Sequence, residues 1–229
     1  MAVVTQERPS ADGGALRPAP PTRPAKERIT FAEYMERERK SDIKHNFVDG
    51  VMEPAWGDVG GTVSGASFEH NLICKNLTLL FGNALYSSAC ETLGSDMRVE
   101  VSDNRLCYYP DLVIVCGDPQ ITPDECLQNP ILIVEVLSSS TATKDRTTKS
   151  RQYRAINSLR HYVLVDQYEP LVEHYERQGD GKWVVGGEYD SLDDTWQLTV
   201  GTTVIAIPLA EIYRRVSFPE NDPAEIEGE

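Results

Sequence analysis

The chain has 229 residues, 40% of them hydrophobic, enough for one buried core and no call for a second domain. Its formal net charge of −14 opposes the lysine and arginine excess from which sequence-independent affinity for phosphate comes. No stretch approaches the ~20 apolar residues of a membrane span. Five cysteines (Cys74, Cys90, Cys107, Cys116, Cys126) without a CxxC pair argue against a disulfide framework or a zinc site, and fit a reducing cytoplasm.

Residues 1–28 are rich in proline, alanine and arginine, lack apolar periodicity, and contain no apolar signal-peptide core, so they read as disordered. A helix over about 30–40 leads into a hairpin at FVDGVMEP. The glycine-rich AWGDVGGTVSGAS (55–67) has neither the GK[ST] ending of a phosphate loop nor GxGxxG, and reads as a mobile loop or as a flap over a site. In SFEHNLICKNLTLLF, Leu72, Ile73, Leu77, Leu80 and Phe81 recur at helical spacing, predicting a helix over 67–82 that packs on a sheet. Glu69 and His70 stand at its entrance, each readable as a structural residue or as a ligand.

Strands follow near 96–101, 107–115 and 130–137. CYYPDLVIVC carries one acid, Asp111, behind Pro110, a residue tolerated where a strand begins. ILIVEVLS (131–138) carries another. Alternation puts Ile131, Ile133, Glu135 and Leu137 on one face and Leu132, Val134 and Val136 on the other, so Glu135 points into hydrocarbon. An unpaired carboxylate there costs several kcal/mol. A carboxylate emerging at a strand end is the plainer reading. A second acid on a neighbouring strand favours another, because two carboxylates brought together need a proton or a divalent cation between them.

The next segment, KDRTTKSRQYRAINSLR (144–160), sets six basic residues against Asp145 alone, the one cationic stretch of an acidic chain. It predicts a helix over 143–157, with Asp145, Lys149 and Tyr153 on one face. Six residues at 1.5 Å each is ~9 Å, so Lys149 reaches back to the level of Glu135; alternatively it pairs only with Asp145. Strands near 160–166, 169–177 and 182–188, a GDG turn at 179–181 and a short helix near 208–214 complete the pattern. His161 and His174 lack partners at metal spacing, and Trp183, Trp196, Tyr168, Tyr175 and Tyr189 read as core or interface in preference to a base-stacking platform. The fold class is α/β, a central mixed β-sheet flanked by helices with additional C-terminal β-hairpin strands. The domain spans 29–216 and an acidic tail 217–229.

The blocks YYPDLVIV, ILIVEVLSSSTATKDRTTKSRQY and LRHYVLVD, with TFAEYMER and FVDGVMEP before them and IPLAEIY after, are similar in content and order to the Uma-two family of restriction-endonuclease-like proteins, within the PD-(D/E)XK nuclease superfamily. The resemblance runs from about Phe31 to Tyr213. It implies a restriction-endonuclease-like core in which Asp111 and Glu135 are the metal-binding acids. The superfamily lysine two residues after the glutamate is Leu137 here, so the ammonium has to come from Lys149. The acid often found before the aspartate-glycine turn is Asn46, and the usual proline after EVLS is Ser139.

The implied activity is metal-dependent endonucleolytic hydrolysis of DNA with little sequence preference. Magnesium or manganese is the cofactor, held by Asp111, Glu135 and the Val136 carbonyl, with no small-molecule cofactor. Asp111, Glu135 and Lys149 form the catalytic set; Arg146, Arg151 and Arg154 bind phosphates; Glu69, His70 and Tyr153 are accessory candidates. A homodimer without membrane attachment follows by analogy. Two rivals remain: paired carboxylates working as acid and base on a sugar, and a catalytically silent nuclease fold serving as a nucleic-acid or protein binding module.

Overall fold

A computed structural model of the chain describes residues 27–56, 66–102 and 105–219. Most of the segment expected to be disordered, most of the glycine-rich loop and residues 220–229 of the acidic tail lie outside those residues.

Thr30 and Glu33 close a capping box on α1 (Phe31–Glu38), each side chain accepting from the other's backbone N–H. The predicted hairpin is β1 (His45–Val48) and β2 (Val51–Pro54), turned by Asp49 and Gly50, both at positive φ. Ser67 caps α2 (Phe68–Leu85), which runs three residues beyond its predicted end and buries Ile73, Leu77, Phe81 and Leu85.

Then come β3 (Cys90–Gly94), β4 (Arg98–Ser102), β5 (Leu106–Tyr108), β6 (Leu112–Cys116), β7 (Cys126–Leu127) and β8 (Leu132–Leu137). The predicted strand 107–115 is therefore broken at Tyr109–Pro110–Asp111. Pro110 has no N–H to give a ladder, and the chain uses that point to pass from one sheet to another. The predicted helix 143–157 is shorter and interrupted: α3 (Ala142–Lys144), one π-helical turn (Asp145–Lys149) and α4 (Ser150–Tyr153). Strands β9 (His161–Asp166), β10 (Val172–Arg177), β11 (Trp183–Tyr189), β12 (Thr195–Val200) and β13 (Thr203–Pro208) lead to α5 (Leu209–Ile212).

The central sheet is six-stranded, in the order β11-β10-β9-β8-β6-β3; beside it stand a five-stranded sheet, β2-β1-β5-β4-β7, and the separate β12-β13 hairpin. The six-stranded sheet is mixed: β8 runs parallel to β9 and antiparallel to β6. The faces of β8 divide as alternation predicts. Leu132, Val134 and Val136 pack with α2 and the β12-β13 hairpin, around the fully buried Trp196. Ile133 and Leu137 pack with Tyr108, Tyr153 and Tyr162 on the other side.

One pairing is new and one expectation changes. His161 and His174, expected only to lack partners at metal spacing, hydrogen-bond to each other. His161 Nε2 lies 3.0 Å from the Thr199 carbonyl and so carries a proton; its Nδ1 accepts from His174 Nε2 at 3.0 Å, and His174 Nδ1 accepts from Trp196 Nε1 at 3.4 Å. This chain ties the β12-β13 hairpin to the sheet. The cysteines also include one bonded pair, Cys90 with Cys116, which face each other across β3 and β6. Gly201 in the β12-β13 turn, at φ +61°, sits so close that a Cβ there would stand 3.2 Å from Cys90 Sγ. Cys107 and Cys126 are buried small core residues. Among the described residues no helix is long and apolar enough to cross a membrane.

Candidate functional site

Toward the C-terminal end of β8, where Ser138–Thr141 leave the sheet, a cavity of about 190 Å³ opens between the two sheets and the start of α2. Asp111, Glu135, Val136, Lys149 and His70 line its floor, with Trp56, Tyr109 and Tyr168 among its walls.

The broken strand positions the first acid. Asp111 precedes β6, and its Oδ2 accepts from the Val136 N–H of the neighbouring strand at 2.7 Å while facing His70 Nε2 at 3.3 Å. The turn before it is fixed from the other sheet: the buried Asn46 accepts the Tyr109 N–H on its Oδ1 at 3.1 Å. Asn46 thus supplies a neutral acceptor at the position where the resemblance implied an acid.

Glu135 comes from the middle of β8, with its Oε1 accepting from Lys149 Nζ and from the Tyr153 hydroxyl, both at 2.9 Å. Lys149 also meets Asp145 Oδ1 at 3.0 Å, so both pairings open to it in the sequence are realised at once. The π turn, in which the Ser150 N–H reaches back to the Asp145 carbonyl, buries Asp145 and Lys149 together.

Burial governs the electrostatics. It pushes the Glu135 carboxyl up to about 8 despite Lys149, and the charges of Asp145 and Asp111 add to the effect. Burial also works against the Lys149 ammonium, but Glu135 and Asp145 outweigh it and hold Lys149 above its ordinary value. At Asp111 burial is again opposed, here by the hydrogen bond and charge of His70 and by the Val136 N–H, and the carboxyl stays below its usual range. His70 is raised in turn, Asp111 and the Val136 backbone outweighing its burial. Asp111, Glu135 and Asp145 thus surround one ammonium and one imidazole, and burial favours a proton on Glu135, a place that a divalent cation could take instead.

The donor set fits a hard ion. Glu135 Oε1 and Asp111 Oδ2 are engaged, while Glu135 Oε2 and Asp111 Oδ1 take no hydrogen bond among the described residues. His70, Cys74 and Asp111 also bring ligand atoms within 4.8 Å of one another. Burial raises the Cys74 thiol, which keeps it protonated and leaves oxygen and imidazole as the available donors.

Other predicted residues lie elsewhere. Arg146 pairs with Glu173 at 2.7 Å and Asp166 at 3.7 Å, and Arg154 stacks over Tyr175 and Trp183, so neither lines the cavity. Arg151 is exposed on α4, and Glu69 is half-buried outside the cavity lining. Tyr153 touches Glu135 from behind, within the core. Sequence reasoning missed Trp56; Tyr168, read from the sequence as core or interface, is exposed on the cavity wall, and Asn46, read only as standing in place of an acid, is an acceptor signalled by a polar residue at an inward position of a short strand, β1.

These features define a nuclease-like α/β protein with a two-carboxylate cavity. The chain belongs to the Uma2 family, described as "Putative restriction endonuclease", whose model matches residues 31–209. It is similar to two uncharacterized proteins of Synechocystis: sll1609, 35% identical over 69% of this chain and 85% of that protein, and slr1290, 28% identical over 83% and 94%. Its fold is similar to the crystal structure of "a putative nuclease belonging to DUF820" from Anabaena variabilis, with a TM-score of 0.61 and 12% identity over 81% of this chain and 97% of that one.

Proposed function

We propose that this protein is a magnesium- or manganese-dependent phosphodiester hydrolase acting on nucleic acid, DNA first, with little sequence preference. The observation that carries the reading is that Asp111 and Glu135, from adjacent strands, line one cavity with Lys149 bonded to Glu135.

Asp111, Glu135, the Val136 carbonyl and His70 are the groups that would hold the ion. A bound divalent cation lowers the pKa of a water and offsets charge on the phosphoryl oxygens. The remaining work falls to the chain. The Val136 N–H keeps Asp111 aimed into the cavity, and Tyr153 and Lys149 fix one oxygen of Glu135 so that the other faces outward. Because its two acid neighbours hold it protonated, Lys149 acts as a cation that orients water and balances developing negative charge, not as the base.

Purified protein with magnesium or manganese should nick supercoiled plasmid, chelation should stop the nicking, and Glu135→Gln should abolish it while leaving the far-ultraviolet circular dichroism unchanged. Nicking that survives Glu135→Gln would refute the assignment.

A further inference from the structure

Resting on that reading of the site, we infer that its substrate is a single-stranded or locally unpaired segment of nucleic acid, with a base stacked on the aromatic rings lining the cavity, Trp56 and Tyr168.

Depth is the first observation. Glu135 and Lys149 are each only 3% exposed, so the reacting groups lie beneath the surface and not on a ridge that a helical backbone could lie across. A cavity of about 190 Å³ is smaller than the roughly 300–1,000 Å³ of pockets that take drug-sized ligands, so it has room for a phosphodiester and part of its sugar but not for the attached base or a second strand. Lowering a phosphodiester of a duplex into it requires the flanking nucleotide to leave the stack, which costs energy that a single strand does not spend.

Charge is the second. Duplex binding without base contacts depends on a row of cations along the phosphates. Here Arg146 is held by Glu173 and Asp166, and Arg154 lies over two rings, while the cations lining the cavity are Lys44 and the doubly paired Lys149. The chain as a whole is at −14.

Aromatic side chains at the mouth are the third. Tyr168 is 45% exposed, and its hydroxyl accepts the Ser139 N–H at 3.3 Å, which anchors the ring beside the cavity. Trp56 is half-buried, and its carbonyl accepts from Ser140 Oγ at 3.0 Å. Rings beside a narrow polar cleft are what sequence-tolerant recognition of unstacked bases uses, since every base offers a π face.

The test uses one sequence in four forms, as single-stranded DNA, single-stranded RNA, blunt DNA duplex and a duplex with an internal unpaired bubble, each with manganese. At least one single strand should be cut tenfold or more faster than the blunt duplex, and cuts in the bubble substrate should fall in its unpaired part. Trp56→Ala and Tyr168→Ala should each raise KM about tenfold on that single strand with kcat changed less than threefold. Binding of the same labelled oligonucleotides to the Glu135→Gln protein, read by anisotropy, separates this inference from the hydrolytic one. If no form is cut yet single strands bind tenfold tighter than duplex, and Tyr168→Ala removes the difference, the substrate class stands and the hydrolase reading falls. Equal cutting of duplex and single strand overturns the substrate class and leaves the hydrolase reading intact; equal binding with no form cut overturns both.

Discussion

Lowering the pH should loosen the attachment of the β12-β13 hairpin, and the size of the effect follows from the paired histidines. In the chain from Trp196 through His174 and His161 to the Thr199 carbonyl, every ring nitrogen is satisfied only when both imidazoles are neutral. Burial, reinforced by His161, depresses His174 from 6.5 to about 4, and burial lowers His161 as well. A base with a depressed folded-state pKa contributes stability above its unfolded pKa and loses it as pH falls toward the folded one. The window is therefore pH 6.5 down to about 4 for His174. At about 1.4 kcal/mol per unit, the full loss is about 3 kcal/mol, of which about 2 kcal/mol has gone by pH 5. Urea unfolding at pH 7 and pH 5 reads this directly. With a slope near 2 kcal/mol/M, the midpoint of the natural protein should drop by roughly 1 M more than that of His174→Gln. The same pH dependence in both proteins would refute the account.

Three further outcomes are expected. Lys149→Met leaves Glu135 and Asp145 buried without their ammonium, and should lower the unfolding free energy by about 3–5 kcal/mol in urea titrations, with part of the loss recovered when Glu135→Gln is added. Replacing Cys90 and Cys116 with alanine opens a link between residues 26 apart, and should cost about 3.5 kcal/mol by the chain-entropy relation; calorimetry with and without reductant checks it. Asn46→Leu removes the acceptor for the Tyr109 N–H and should cost about 1–3 kcal/mol of stability, with kcat falling more than KM rises because Asp111 loses its aim while the rings at the mouth are untouched.

How much was legible in the sequence depends on the kind of signal each residue gives. The faces of β8 and the convergence of Asp111 and Glu135 follow from period-two alternation and from the cost of a charge in hydrocarbon. Lys149 follows from helical spacing. The break at Pro110 was readable in kind, since proline was expected at a strand start, but its consequence was not: that β5 and β6 join different sheets is decided by which edges are available after folding. Strand β3 (CETLG) is short and lacks alternation, its polar residues Glu91 and Thr92 being adjacent, and β12 and β13 become strands by pairing with each other over the α2 side of the core. The roles of the arginines are not legible at this level, because a cationic run reads alike whether it faces phosphate or, like Arg146, the protein's own carboxylates.

Because the chain crosses from one sheet to the other within Tyr109–Pro110–Asp111, the two halves of the site are anchored to separate bodies. Tyr109 is held by Asn46 in the five-stranded sheet, whereas Asp111 is fastened to Val136 in the six-stranded one. Three residues of backbone therefore serve as the gauge between them. Any slippage of one layer past the other would shift Tyr109 and Lys44 against an acid pair held within a single sheet, so the rigidity of this corner governs how the cavity wall meets its floor.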